Sequence, residues 1–496
     1  MLKKSMKKIK KTVKSVSKKR AEEPAKKNIQ EEKKLILAAG LEDDEQLVVK
    51  GPKGKLPSLL RGMKDVLPKD WPYWKKIYHT AENIAEAYGF GYMETPVLEE
   101  ASLFTRSIGR GTDIIEKEMY VFDDRDGTRV GMRPEFTAGA VRAYISHGMH
   151  TLPQPVKLWS FGQLFRHDRP QAGRYRQLHQ FNCESFGAHD PAVDAELIVV
   201  AYNFLRDLGI ETIVQMNSIG TSEDRQNYLV ELTGYLRTKR SYLCEDCKKR
   251  ITRNPLRVLD CKNESCRPTL EEAPQIVDWL SEASKNYFMK VLEFLDELEV
   301  PYTLKPTLVR GLDYYTETVF EIYEDPSTSS GQAPSAGSTG SPQAGAGQQS
   351  ALCGGGRYDL LVGELGGPPT PACGFALGVE RVMTILRRKA EENKDKIEKE
   401  SGGVFFAHLG EQARRRTLKM IEDLRRDGVV LHHSLGKTAL KAQLELANKF
   451  AVAYTLILGQ KEVQDGTIII RDMESGIQEI VDQKKLKSEL EKKTKI

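Results

Sequence analysis

FRHDRPQAGRYRQLHQFNCESFG, Phe165 to Gly187, packs four arginines, two histidines and two acids among apolar residues. Guanidiniums this close repel one another unless an anion offsets the repulsion. The arginine fork binds phosphate or carboxylate through two parallel hydrogen bonds. A surface strand serving only solubility would space its charges. The segment reads as the wall of an anion site.

Upstream, RGMKDVLP (Arg61 to Pro68) leads into a helix expected over Trp71 to Tyr88. Trp74, Ile77, Tyr78, Ala81, Ile84, Ala85 and Tyr88 fall on one stripe, and Gly89 stops it. GYMETPVLE then reads as a strand closed by Pro96. Further strands are expected near 119–123, 129–132 and 156–161, and helices near 135–147 and 191–208. Residues 58–221 and 301–390 form one domain in this reading. It is interrupted by 222–300, a charged, helical, cysteine-bearing insertion. Residues 326–350 are a Gly/Ser/Ala/Pro/Gln tract without periodicity that cannot bury a core. Strand-like VFEIY and ALCGGGRYD flank it, which places it at a hairpin tip. From 402 to 490 strands and helices alternate in βαβαβ order and end in a hairpin, the pattern of a compact α/β domain on a mostly parallel sheet.

The 496 residues suffice for about three domains. No run of eighteen apolar residues exists, so no membrane crossing is expected. Residues 1–34 hold fourteen Lys or Arg against four Glu, a balance of +10, which leaves −5 for the rest of a chain of net charge +5. Within that basic extension, 1–57, Leu2, Met6, Ile9, Val13 and Val16 recur at helical spacing. It reads either as a solvated arm or as a basic amphipathic helix for RNA or lipid. It lacks the continuous apolar core of a secretory signal. Seven cysteines, four of them between 244 and 266, make a poor disulfide framework, so a reducing cytoplasm is expected.

Four further segments carry chemistry. RPEFTA (Arg133 to Ala138) places Glu135 at a helix start, where a plain capping acid would also sit. LVRGLDYYTETVFE (Leu308 to Glu321) puts an arginine and a tyrosine pair in an otherwise apolar strand. Strand alternation would set Arg310, Leu312 and Tyr314 on one face and Asp313 and Tyr315 on the other. Burying those polar groups costs free energy without a partner. GGGRYD (Gly354 to Asp359) is a glycine run that suits either a bulge or a close ligand. PACGFALGVERV (Pro371 to Val382) ends in Glu380–Arg381 at a helix start, for which a surface ion pair is the bland reading. Cys244, Cys247, Cys261 and Cys266 are spaced C-x2-C, thirteen residues, C-x4-C. Two close pairs of thiolates suit tetrahedral zinc in a structural role, the alternative being four reduced thiols.

Together these segments resemble the signature set of the class II aminoacyl-tRNA synthetases, specifically the histidyl-tRNA synthetase family, from about Arg61 to 485. The strand ending at Pro96 is similar to the first class motif, Phe165–Gly187 to the second, and GFALGVERV to the third. LVRGLDYYTETVFE and GGGRYD resemble segments particular to the histidine enzymes. The resemblance implies an α+β catalytic domain with an antiparallel sheet and a C-terminal α/β anticodon-binding domain, to which the cysteine spacing adds a helical, zinc-like insertion. It implies ATP with Mg, L-histidine and tRNA(His) as ligands, and a homodimer. Arg166 would grip the α-phosphate, Asp168 would meet the adenine edge, and Arg381 would stack on adenine. Arg310 would be the catalytic cation, standing where other class II enzymes place a metal. Glu135 would hold the histidine ammonium group beside Thr137. Gln180, Glu184, Tyr314 and Tyr315 would surround the imidazole, with Tyr358 bordering the pocket. Arg169, Arg174 and Arg176 would serve the triphosphate or the tRNA acceptor end, and Lys437, Lys441 and Lys449 would lie on the anticodon domain.

Two departures from the family pattern stand out. Phe136 replaces a common glycine, which would narrow the amino-acid floor. Leu178 replaces a common aromatic, which would weaken stacking on adenine. Two other readings compete. One is a catalytically silent relative, the regulatory subunit of ATP phosphoribosyltransferase, but such proteins usually lose active-site arginines and the C-terminal domain. The other is a zinc-bearing RNA-binding scaffold, which leaves the arginine–tyrosine segment unexplained.

Overall fold

The computed structural model describes residues 57–109, 112, 114–168, 175–325, 351–392 and 403–494. The basic arm, the 326–350 tract, Arg169 and Arg174 lie outside the described residues. The chain divides into Met1–Leu59 and Leu60–Ile496, and the architecture below is that of the second unit.

Eight strands form the main sheet, in the order β1-β5-β6-β11-β10-β9-β7-β8. They are β1 (Gly91–Tyr92), β5 (Val156–Phe165), β6 (Gln177–Phe186), β7 (Thr212–Ser218), β8 (Tyr302–Leu304), β9 (Thr316–Glu324), β10 (Cys353–Arg357) and β11 (Ala372–Gly378). Every central pairing is antiparallel, and only the edge strands β1 and β8 pair parallel. Helices Trp71–Ala87, Pro191–Asp207, Glu282–Glu297 and Val379–Glu392 press their apolar stripes on one face. The first of these buries Trp74, Ile77, Ala81, Ile84 and Ala85, the spacing that amphipathicity requires. The other face carries helix Thr137–Ser146 and much of the 222–276 segment. Helix Glu282–Glu297, at the end of the insertion, sends Phe288, Val291, Leu292 and Leu295 into the core beneath the main sheet.

GYMETPVLE is two short strands rather than one. β1 joins the main sheet, while β2 (Leu98–Glu100) joins β4 (Arg129–Met132) and β3 (Val121–Asp123) in a separate three-stranded sheet. Pro96 lies between them and cannot donate to a ladder, so the chain changes sheets there. The segment 308–321 also departs from the strand reading. Residues 308–315 make no ladder, and β9 begins only at Thr316. The two-face alternation therefore fails: Tyr314 and Tyr315 are both buried. Strand alternation does not apply because this loop is held by a β7 side chain and by backbone contacts rather than by a ladder of its own. Asn217 Nδ2 donates to the carbonyls of Pro306 (3.0 Å) and Leu308 (2.9 Å), and the Asp313 amide to that of Ile108 (3.3 Å).

β9 and β10 pair antiparallel on either side of the 326–350 tract, with Cys353 opposite Ile322. That is the hairpin expected from the flanking strands. The C-terminal sheet runs β13-β12-β14-β15-β16, over Leu431–His433, Val404–His408, Tyr454–Leu458, Thr467–Asp472 and Gln478–Asp482. β12 pairs parallel with β13 and β14, and β15–β16 is the terminal hairpin. Val404 and Phe406 face one apolar cluster while Phe405 and Ala407 face the other, so helices cover both faces.

Candidate active site

A cleft of about 1620 Å³ opens on the face of the main sheet opposite its long helices. Ordinary ligand pockets run from roughly 300 to 1,000 Å³, so this one has room for a nucleotide and an amino acid side by side. Glu135, Thr137, Arg166, Asp168, Gln180, Tyr314, Tyr315, Arg310 and Arg381 all line it. Glu184 and Tyr358 lie one layer deeper, 3% and 1% exposed.

One half of the cleft is built from carboxyls and tyrosines. Glu135 precedes helix Thr137–Ser146 and accepts the amide N–H groups of Thr137 (2.7 Å) and Ala138 (2.8 Å). The capping expected of such an acid is therefore present. Burial raises its pKa, opposed by those hydrogen bonds and by Arg166. Thr137 Oγ1 donates to Glu184 Oε1 (2.6 Å), and the Tyr358 hydroxyl donates to Glu184 Oε2. Rings of Tyr314 and Tyr315 lie 4.7 Å apart, and Tyr314 meets Tyr358 at 5.6 Å. Gln180 Oε1 and Asn182 Oδ1, on β6, are buried without a partner among the described residues. Each such orphan costs about 1–3 kcal/mol.

Burial, with the Glu135 charge adding to it, pushes the Glu184 carboxyl up to about 8 against the pull of its hydroxyl donors. The unfolded chain releases this proton near the ordinary 4.5, whereas the folded protein keeps it until about 8. Stability from this group is therefore full below 4.5 and is lost as pH rises through 8. At 1.36 kcal/mol per unit the loss is on the order of 5 kcal/mol. Glu184→Gln, which carries no such proton, is expected to unfold at a higher temperature than the parent at pH 8, with the gap closing toward pH 5. Thermal unfolding of both proteins across pH 5–8 decides it; a gap independent of pH would contradict the raised pKa.

The other half is cationic. Arg166 Nε donates to the Pro134 carbonyl (2.7 Å). Burial lowers its pKa, and the charges of Glu118 and Glu135 raise it. Arg310 pairs with Glu321, whose second oxygen accepts from the Tyr323 hydroxyl. Its guanidinium lies 5.8 Å from the Tyr315 ring centroid, and its Nε is buried with no partner among the described residues. Arg381 donates to the Ala351 carbonyl. Arg176 braces this wall through its backbone, which bonds to Arg166 N (2.9 Å) and Gly62 O (2.8 Å).

The surface ion pair between Glu380 and Arg381 does not form. Glu380 instead accepts from the His179 amide (3.0 Å) and meets its Nδ1 at 2.8 Å, fixing β6 to helix Val379–Glu392. Phe136 does not narrow the amino-acid floor. Its ring is buried under the Arg133 guanidinium at 4.5 Å and is not among the cleft's lining residues. Leu178 does line the cleft.

Glu321, Tyr323, Asn182 and Gly374 also build the site, although sequence reading did not single them out. Glu321 ends the quoted 308–321 segment, and its acid beside an arginine and tyrosines was an available signal. Gly374 sits opposite Glu184 across the β6–β11 pair. A Cβ there would collide with the Glu184 carboxylate and come within 2.7 Å of the Cys183 carbonyl.

The sulfur atoms of Cys244, Cys247, Cys261 and Cys266 all lie within 4.8 Å of one another, and none is in a disulfide. Cys244 and Cys261 line the same cleft.

The histidyl-tRNA synthetase family matches residues 62–221 and 252–382, and an anticodon-binding domain matches 404–493. A histidine–tRNA ligase of Aquifex aeolicus is 44% identical over 420 residues, 84% of this chain and 97% of that one. The crystal structure of apo S. aureus histidyl-tRNA synthetase superposes with a TM-score of 0.70 at 32% identity, covering 88% of this chain and 99% of that one. A Bacillus halodurans structure described as an ATP phosphoribosyltransferase regulatory subunit/histidyl-tRNA synthetase shares the fold, with a TM-score of 0.55 at 18% identity over 82% of this chain and 98% of that one. By the extent of these matches, the chain belongs to the histidyl-tRNA synthetase family.

Proposed function

We propose that the protein activates L-histidine with ATP and transfers it to tRNA(His). The histidine carboxylate attacks the α-phosphorus, forms histidyl-adenylate and expels pyrophosphate. A terminal ribose hydroxyl of the tRNA then attacks the adenylate carbonyl and releases AMP. The observation that carries this reading is Arg310: a half-buried guanidinium pinned by Glu321 that lines the same cleft as Arg166 and Arg381. A cation held where charge develops stabilises the transferring phosphoryl group without reorganising during reaction.

Arg166 would bind the α-phosphate, Asp168 the adenine edge, and Arg381 the nucleotide from above. Glu135 would take the ammonium group with Thr137 beside it. Gln180, Tyr314 and Tyr315 would receive the imidazole, with Glu184 and Tyr358 supporting from below. A site that pairs every ring nitrogen rejects apolar analogues strongly. Magnesium would arrive with the triphosphate as its counter-ion, since Glu321 and Glu380 are each already held by protein donors. Zinc on the four cysteines would staple the insertion. The domain organisation read from the sequence is part of this proposal. Lys437, Lys441 and Lys449 are exposed on the C-terminal domain and would meet anticodon-stem phosphates, which makes tRNA affinity fall with salt. A second copy of the chain would pair through the exposed Tyr92 and Leu98 flanking Pro96. Seven unpaired thiols favour the reducing cytoplasm.

ATP–pyrophosphate exchange with each of the twenty amino acids supplied singly tests the activation step. Exchange with histidine alone is expected. Folded protein that exchanges with none would instead support the regulatory reading, against which the three cleft arginines and the anticodon-domain match now stand.

A further inference from the structure

The four-cysteine cluster has the dimensions of a metal site. A tetrahedral zinc–thiolate centre with Zn–S of about 2.3 Å spaces its sulfurs about 3.8 Å apart. Cys244 and Cys261 Sγ stand 3.8 Å apart. Two sulfurs already accept backbone N–H groups, Cys266 from Cys244 (3.1 Å) and Cys261 from Asn263 (3.4 Å). Such bonds stabilise thiolate ligands. Cys247 and Cys266 are fully buried. An all-thiolate set selects soft metals and leaves no open position, which suits zinc in a closed site.

The placement of the cluster says more. Cys244 precedes and Cys247 lies within helix Glu245–Arg253, and Cys261 and Cys266 follow helix Leu256–Leu259. The turn between the two helices touches the loop that bears Arg310. Asn254 Nδ2 donates to Asp313 Oδ1 (2.8 Å). Arg257 Nη1 lies 3.3 Å from where a Gly311 side chain would begin. From the preceding helix, Arg225 Nη1 donates to the Tyr315 carbonyl (2.7 Å). Residues 308–315 have no strand ladder of their own. The insertion thus supplies part of the scaffold that the sheet does not.

We propose that Cys244, Cys247, Cys261 and Cys266 bind one Zn2+, and that the metal, by fixing the 244–266 segment, braces the 308–315 loop and holds Arg310 in its working position. The consequence for catalysis rests on the activation reading above; the metal and the brace do not. Zinc then acts as a positioning element for adenylate formation.

The test uses the full chain, with zinc as the metal probe. Elemental analysis of purified protein is expected to find about one zinc per chain. Stripping it with a chelator should speed amide hydrogen exchange across 309–315 while β10 and β11 stay protected. It should also lower kcat for histidine-dependent exchange by about tenfold to a hundredfold, the scale of a misplaced catalytic group, with recovery on zinc addition. Asn254→Ala should keep its zinc yet show the faster loop exchange. Cys247→Ser should lose zinc. Full chain that takes up no zinc overturns the site. Zinc whose removal leaves loop exchange and kcat unchanged overturns the brace. If zinc-loaded protein activates no amino acid, the activation reading fails, and zinc content and loop exchange still decide this proposal.

Discussion

Arg310→Ala is expected to lower kcat for histidine-dependent ATP–pyrophosphate exchange by about 10³-fold, with little change in KM for histidine. The guanidinium is pinned on one side by Glu321, itself tied to the Tyr323 hydroxyl. On another side it faces the Tyr315 ring. Burial alone would favour loss of its proton, but Glu321 and the tyrosine beside it outweigh that and raise its pKa. The charge is thus permanent and held in place before any substrate arrives. Arg310→Lys keeps the charge but not the planar fork, so it should fall between the parent and the alanine variant. Thermal unfolding confirms that each variant is folded. A loss below tenfold in folded Arg310→Ala would move the catalytic cation to Arg166.

Chemistry was more legible in the sequence than geometry. The pairing of an arginine with two tyrosines in 308–321 was correctly singled out, but alternation put the tyrosines on opposite faces. The loop's partners, Asn217, Asn254 and Arg225, lie on other elements, and local periodicity carries no information about them. The helix at Trp71 was legible because its stripe has to face the core. The capping of Glu135 was legible as well, as a local event between neighbours. Phe136 misled because a bulky residue beside a site reads as an obstruction until a buried arginine is found stacked on it. Gly374 stayed silent because its meaning depends on strand register: only the β6–β11 pairing sets it against Glu184.

The two halves of the cleft hold their charge by opposite means. The half proposed for the nucleotide carries guanidiniums, whose charge survives burial when an acid stands nearby, as Glu321 does for Arg310. The half proposed for the amino acid carries a carboxyl deep enough to keep its proton to about pH 8. Retaining that acid costs stability at neutral pH, a common feature of built sites.

Paired glycine substitutions separate these halves. Gly354 and Gly374 lie on the adjacent antiparallel strands β10 and β11, and neither has a positive φ. Alanine is therefore permitted by the backbone, and its effect comes from the methyl alone. At Gly354 that methyl would strike the Arg310 guanidinium; at Gly374 it would strike the Glu184 carboxylate and crowd the Cys183 carbonyl. Gly374→Ala is expected to raise KM for histidine about tenfold, the scale of losing a hydrogen bond between uncharged groups (~0.5–1.5 kcal/mol), with KM for ATP nearly unchanged. Gly354→Ala should instead lower kcat by about tenfold or more and leave KM for histidine near that of the parent. Steady-state exchange kinetics on both variants, each first shown folded by thermal unfolding, read the pattern directly. If Gly354→Ala chiefly weakens histidine, or Gly374→Ala weakens both substrates alike, the division of the cleft between Arg310 and Glu184 is wrong.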